Sequence, residues 1–294
     1  MPPDARTEPR LPPERAGFPA PVDLAERRAG LTAAVEAGMF AADPCPEEIS
    51  LGGIRALRFT PTEASRGTLV HIHGGAFRIG SPETVARFAT AITRRCRVTV
   101  VCPAYRLAPE HPFPAGLRDG WTALREVARS IDGRLLLSGD SAGGAIATGL
   151  TSLAVRAGIP VHGLALLSPW LDLTVTHSSF TANSATDPLF SAVAASEAAE
   201  LYLQGIAPND PLASPLFGPL EHFPPLFVNV GCGEVLFGDA AEFAAKARGA
   251  GIPVTFEAFD GMEHVAVTRD LSRPGAKQTF DALAQFIDSL LRDD

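Results

Sequence analysis

The chain predicts an α/β fold built on a mostly parallel sheet with helices on both faces, and three observations carry that prediction. Short apolar runs alternate with amphipathic helical stretches from residue 54 to the end, which is the pattern of strands joined by crossover helices. One run, Leu135 to Leu137, leads into the glycine-hemmed serine of Gly139, Asp140, Ser141, Ala142 and Gly143, and then into the helical stretch Ala145 to Leu150. The chain has 294 residues, 46% hydrophobic and 20% charged, enough apolar material for one large core with appendages.

In chain order, Met1 to Pro21 is proline-rich and polar and reads as an extended or mobile arm that buries little. A helix is expected from Asp23 to Phe40, capped by Asp23, with Leu24, Arg28, Leu31 and Val35 on one face. That face must lie against something apolar, either as core packing or as a cover over a site. Strands follow at Ile54 to Phe59, Thr68 to Ile72 and Val98 to Val101, with a helix from Glu83 to Arg95 between the last two. A helix at Leu117 to Ala128 precedes the Leu135 strand, and a strand at Gly163 to Leu167 follows the serine helix. Strands at Leu226 to Gly231 and Val254 to Phe259 flank a helix at Asp239 to Arg248, and a helix near Ala276 to Leu291 closes the chain. The exception to the alternation is 172–219, an excursion with a helix at Ser191 to Leu203 and prolines at 208, 211, 215 and 219. Long excursions between sheet strands sit on top of a domain, so this segment and the N-terminal helix are assigned to a helical cap. The boundaries expected are 1–45 for arm and cap helix and 46–294 for the catalytic domain, with 172–219 adding to the cap.

A net charge of −8 with scattered charges excludes the basic face that nucleic acid requires. Cys45, Cys96, Cys102 and Cys232 show no metal-binding or redox spacing and read as reduced thiols. The proline- and charge-bearing start lacks the apolar core of a signal peptide, and no later stretch is apolar over a membrane's thickness. A cytoplasmic protein without stable membrane association is expected.

Glycines two residues either side of Ser141 suit a sharp strand-to-helix corner that exposes a serine hydroxyl and frees the next N–H, that of Ala142, for an oxyanion. Such a nucleophile needs a base and a group to orient it. His264, in Asp-Gly-Met-Glu-His-Val-Ala just beyond the Val254 strand, is the best placed of the seven histidines. Glu234, at the tip of the Leu226 strand, is favoured as the orienting acid; its competitor Asp239 falls where the next helix should begin and reads as an N-cap. His73, Gly74, Gly75, Ala76 and Phe77 follow a strand directly and offer backbone N–H groups to the site. His71 and His73 share a strand face, but no third metal ligand accompanies them, so no metal is expected and His73 is read as a brace for the loop. Arg106, Glu110 and His111 read as an ion-paired brace beneath the site. Phe77, Trp170 and Phe190 are candidates for the substrate pocket wall and equally for the core.

These pieces resemble the hormone-sensitive lipase family of α/β-hydrolases, in its bacterial esterase branch. HGGAF is similar to that family's His-Gly-Gly-Gly motif and GDSAGG to its nucleophile turn, while YRLAPEHPFPA, SPWLDL, DPL and GMEHV extend the similarity across nearly the whole catalytic domain. The resemblance implies an α/β-hydrolase fold and a serine carboxylesterase acting on short- to medium-chain esters without metal or cofactor. By motif position it implies Ser141, Glu234 and His264 as triad, with oxyanion N–H groups from Gly75, Ala76 and Ala142. It also allows a homodimer. Two departures stand out: Ala76 replaces the usual third glycine, which narrows the backbone angles, and EVL stands where the family commonly has aspartate in a DPL-type sequence. Two rival functions remain, an amidase or deacetylase using the same triad and a non-catalytic small-molecule receptor on the same scaffold.

Overall fold

The computed structural model describes residues 9–131 and 133–292, so the first eight residues of the expected arm lie outside the described residues. The elements run α1 (Val22–Glu36), β1 (Glu47–Leu51), β2 (Ile54–Phe59), β3 (Gly67–Ile72), α2 (Ala86–Cys96), β4 (Thr99–Pro103), α3 (Ala115–Ser130), β5 (Arg134–Asp140), α4 (Ala142–Ala157) and β6 (Gly163–Leu167). They continue with α5 (Ser179–Ala182), α6 (Ala192–Leu203), β7 (Leu226–Gly231), α7 (Phe237–Gly249), β8 (Val254–Phe259), α8 (Ala266–Arg269) and α9 (Ala276–Leu290).

Among the described residues the strands form one eight-stranded sheet in the order β1-β2-β4-β3-β5-β6-β7-β8. From β4 to β8 every pairing is parallel, whereas β1 and β2 add an antiparallel edge. Strands β3, β6 and β7 are buried along their whole length, because helices cover both faces of the sheet. Leu117, Leu124, Ile146, Leu150 and Phe243 bring α3, α4 and α7 onto one face. Phe88, Ile92, Leu283 and Ile287 bring α2 and α9 onto the other. Each such fully buried side chain contributes about 1.5–3 kcal/mol by leaving water.

Strand β1 was not legible because Glu47 and Glu48 break its apolar pattern; it is an exposed edge strand whose glutamates pair with Arg58 and Arg55 of β2. Helix α1 begins one residue before Asp23, so that aspartate lies in the first turn and Pro21 occupies the cap position. The expected stripe is real but only its first member is buried, at Leu24. Arg28, in the same stripe, donates to the carbonyls of Arg78 and Ala108 and pairs with Glu110, so α1 sits on a polar seat.

The arm is not loose where it is described. Arg15 donates to the carbonyls of Gln204 and Leu203 at 2.7 and 2.6 Å, and Arg118 reaches the Pro12 carbonyl at 2.6 Å. The expected brace is also rearranged: Arg106 pairs with Asp119 and Glu14, Glu110 pairs with Arg28, and His111 is exposed. Arg106 and Glu110 therefore fasten the N-terminal segment, through Glu14 and Arg28, instead of pairing with each other. Ser191 caps α6 by accepting the N–H of Ala194.

Candidate active site

Strand β5 ends at Asp140 and α4 begins at Ala142, which leaves Ser141 alone at the corner with φ 52° and ψ −124°. The surrounding structure imposes that strained conformation. Ser141 N–H donates to Leu167 O at 2.9 Å and its carbonyl accepts Trp170 N–H at 3.0 Å. A Cβ on Gly143 would overlap the Ile72 carbonyl oxygen, and one on Gly139 would overlap the Gly143 carbonyl, so only glycine permits so tight a turn.

His264 lies between β8 and α8, and its Nε2 stands 2.9 Å from Ser141 Oγ. Its Nδ1–H donates to Glu234 Oε2 at 2.6 Å, which leaves Nε2 to accept the serine proton. Glu234 is 1% exposed, and its other oxygen accepts from Ser168 Oγ at 2.7 Å and from Gly231 N–H at 2.6 Å. Burial by itself would lower the proton affinity of His264. The hydrogen bond and charge of Glu234, with Asp187 and Asp140 farther off, outweigh it and hold the imidazole above its ordinary value.

Asp239 is elsewhere. It is the third residue of α7, fully buried, and its Oδ2 accepts the N–H groups of Leu171 and Asp172 at 2.9 Å. It therefore clamps the loop after β6 and does not cap its own helix, contrary to the sequence reading. Burial pushes its carboxyl up to about 7.

The loop after β3 is fixed from both ends. Asp140 Oδ1 accepts Gly74 N–H at 3.0 Å and the His71 ring at 3.1 Å, while the other His71 nitrogen meets Ser138 Oγ at 2.8 Å. His73 donates to the Gly74 carbonyl at 2.8 Å and stacks on Tyr105, whose hydroxyl donates to His73 O. Desolvation lowers His73 to about 4, so its ring is a neutral brace. Gly75, Ala76 and Phe77 all take positive φ, at 112°, 52° and 62°. Their turn leaves the N–H groups of Gly75 and Ala76 without an acceptor among the described residues. Ala142 opens α4, so its N–H has no intrahelical acceptor either. Ser141, His264, Glu234 and the unpaired N–H groups thus meet at the C-terminal ends of β3, β5, β7 and β8.

The three aromatic candidates separate. Phe77 and Trp170 are 1% and 0% exposed; Phe77 stacks on Tyr202 and Trp170 Nε1 donates to Asp172 O, so both belong to the core beneath the loops. Phe190 is half-buried, lies parallel to the His264 ring at 6.0 Å and meets Trp170 edge-on. A cavity of about 540 Å³ reaches Gly74, Gly75, Asp140 and Val265 from the side of Leu31 and Phe40.

Residues that sequence reasoning left without a role surround Glu234. Asn183 donates to the carbonyls of Cys232 and Glu234, and Asp187 accepts Val235 N–H at 3.0 Å. Ser168 and Asp187 open the SPWLDL and DPL blocks, so the signal was present as motif similarity without a chemistry attached to it. The four cysteines are free thiols. Among the described residues no helix is long and apolar enough to cross a membrane.

The fold and the arrangement of its strand ends are those of an α/β hydrolase, and the family model described as alpha/beta hydrolase fold matches residues 69–268. An acetyl-hydrolase of Streptomyces hygroscopicus is 36% identical over 225 residues, covering 76% of this chain and 75% of that protein. An esterase of Acinetobacter venetianus is 36% identical over 248 residues, covering 82% of this chain and 81% of its own. A solved esterase from the bacterial hormone-sensitive lipase family superposes with a TM-score of 0.86 at 32% identity, covering 94% of each chain. The chain belongs to the hormone-sensitive lipase family of α/β-hydrolases and is a carboxylic ester hydrolase.

Proposed function

We propose that the protein is a serine carboxylesterase that hydrolyses short- to medium-chain esters of small molecules through an acyl-enzyme. The observation that carries this reading is the continuous line Ser141 Oγ, His264 Nε2, His264 Nδ1, Glu234 Oε2, with spacings of 2.9 and 2.6 Å at its two hydrogen bonds. His264 takes the Ser141 proton as Oγ attacks the ester carbonyl, and the N–H groups of Gly75, Ala76 and Ala142 receive the charge on the carbonyl oxygen. The imidazolium then protonates the departing alcohol. Water enters, loses a proton to His264, and releases the carboxylic acid from Ser141.

The helix α1 and the segment 172–219 form the cover in this reading, supported by Arg28 on the Arg78 carbonyl and by the 2.9 Å pair of Arg78 with Glu197 of α6. Phe190 and the cavity beside Gly75 receive the substrate. A short acyl group is favoured by the methyl of Ala76 in the oxyanion turn and by the name of the Streptomyces acetyl-hydrolase. Free thiols support a cytoplasmic setting.

Steady-state hydrolysis of p-nitrophenyl esters of increasing acyl length, alongside the anilide of each acid, tests the reading. Ester turnover that peaks at short or medium chains and exceeds anilide turnover is expected. Preferred anilide turnover would make the protein an amidase, and ligand binding without turnover would make it a receptor.

A further inference from the structure

Ser168, the first residue after β6, is 0% exposed and sits at φ 44°, a left-handed conformation that costs any residue with a Cβ. Its hydroxyl donates to Glu234 Oε1 at 2.7 Å and accepts the N–H of Val265, next to His264, at 3.2 Å. Its own N–H donates to Asn229 O at 2.7 Å, and two residues on, Trp170 N–H holds the Ser141 carbonyl. One short loop therefore touches the segments that carry nucleophile, acid and base.

A glutamate has one more rotor than an aspartate, and its terminal torsion is broad. Here Oε2 must face His264 Nδ1, so something has to hold Oε1. Gly231 N–H supplies one donor, fixed on the same strand end, and Ser168 supplies the other from a different strand. We propose that Ser168 is a positioning residue for ester hydrolysis: it locks the Glu234 carboxylate and the His264 backbone into one register by a single hydroxyl. The proposal rests on the assignment of Ser141, His264 and Glu234 as nucleophile, base and acid.

Loss of the hydroxyl leaves Glu234 with one donor fewer and concentrates its charge on Oε2. The imidazolium is then held more tightly, and protonation disables the base at a higher pH. Asp187 and Asp140 also act on His264, and Asp260 and Glu263 line the neighbouring cavity with Glu234; a change at 168 alters none of them.

The test is steady-state hydrolysis of p-nitrophenyl butyrate from about pH 5 to about pH 9 by wild type, Ser168→Ala, Ser168→Gly and, as reference, Ser141→Ala. Ser168→Gly removes the hydroxyl while suiting the left-handed backbone, so it guards against a variant that fails to fold. Expected in both Ser168 variants is a kcat lower by about 10- to 100-fold, KM within about twofold, and an acidic limb displaced upward by about half a pH unit. An unmoved limb with wild-type kcat, or a rate loss with the limb unmoved, would overturn the proposal and leave the triad standing. Full turnover by Ser141→Ala would remove the triad and Ser168's role together.

Discussion

Replacing Glu234 with glutamine keeps the size of the side chain and changes only which end can accept. In the native site Oε1 takes two donors, Gly231 N–H and Ser168 O–H, and Oε2 takes the His264 Nδ1 proton. A glutamine that keeps its oxygen on Gly231 turns its NH₂ toward Nδ1 and forces the imidazole proton onto Nε2, facing Ser141, where no base remains. Flipped, it presents a donor to Gly231 N–H at the position where 2.6 Å now separates donor from acceptor. Ser168 can rotate to accommodate the flip, but a backbone N–H cannot, and a buried unpaired donor costs about 1–3 kcal/mol. To that is added the loss of the anion that steadies the imidazolium. In a comparable serine triad, an amide in place of the acid costs about 10⁴-fold. Glu234→Gln is expected to lower kcat by about 10³- to 10⁴-fold with little change in KM, measured on p-nitrophenyl acetate with circular dichroism to verify folding. The competing acid supplies the control: Asp239→Asn, whose amide oxygen can still accept from Leu171 and Asp172, stays within about tenfold of wild type. An active Glu234→Gln beside an inactive Asp239→Asn would refute the assignment of the acid.

Because the Glu234 contact outweighs burial and raises His264, kcat/KM should fall on acidification with a midpoint above about 6.5; a midpoint below about 6 in the pH profile would contradict the neutral-base step. Gly143→Ala forces the end of β3 and the oxyanion loop away from the elbow, and is expected to cost at least about 10²-fold in kcat and about 2–4 kcal/mol in denaturant unfolding. Asp239 gives a stability test with a definite sign. Its folded value of about 7 exceeds that of the unfolded chain, so its contribution is whole below about pH 4 and is lost as pH rises through about 7. Wild type should lose on the order of 2–3 kcal/mol between about pH 5 and about pH 8 through this group, and Asp239→Asn should lack that component in urea melts at the two pH values.

Much of the sheet was legible because parallel strands buried on both faces leave short apolar runs, as in Leu135 to Leu137 of β5 and Leu164 to Leu167 of β6. Edge strand β1 was not legible, since the consecutive Glu47 and Glu48 fall on opposite faces of it and break the apolar alternation. The elbow was readable because Gly139 and Gly143 are demanded by backbone overlap, which leaves a fixed spacing in the chain. Glu234 could be placed by its distance from a strand end. Ser168 and Asp187 carry no such local mark: their roles arise only when β6, β7 and the excursion after residue 172 come together. Asp239 misled for the opposite reason. An aspartate near a helix start reads as a cap, and only the fold shows that its carboxylate faces another loop. Arg106 and Glu110 of the expected brace were likewise visible as charges, while their partners, Glu14 and Asp119 for Arg106 and Arg28 for Glu110, are set by how the N-terminal segment docks.

The proposed chemistry depends first on Ser141 being the nucleophile. The most direct measurement is to treat the protein with a p-nitrophenyl alkylphosphonate, which phosphonylates an activated serine, and to locate the adduct by peptide mass spectrometry as activity is lost. One adduct per chain is expected, on the peptide containing Ser141, formed in step with inactivation and absent from Ser141→Ala. Inactivation with the adduct on another residue, or full labelling of Ser141 with turnover intact, would contradict it.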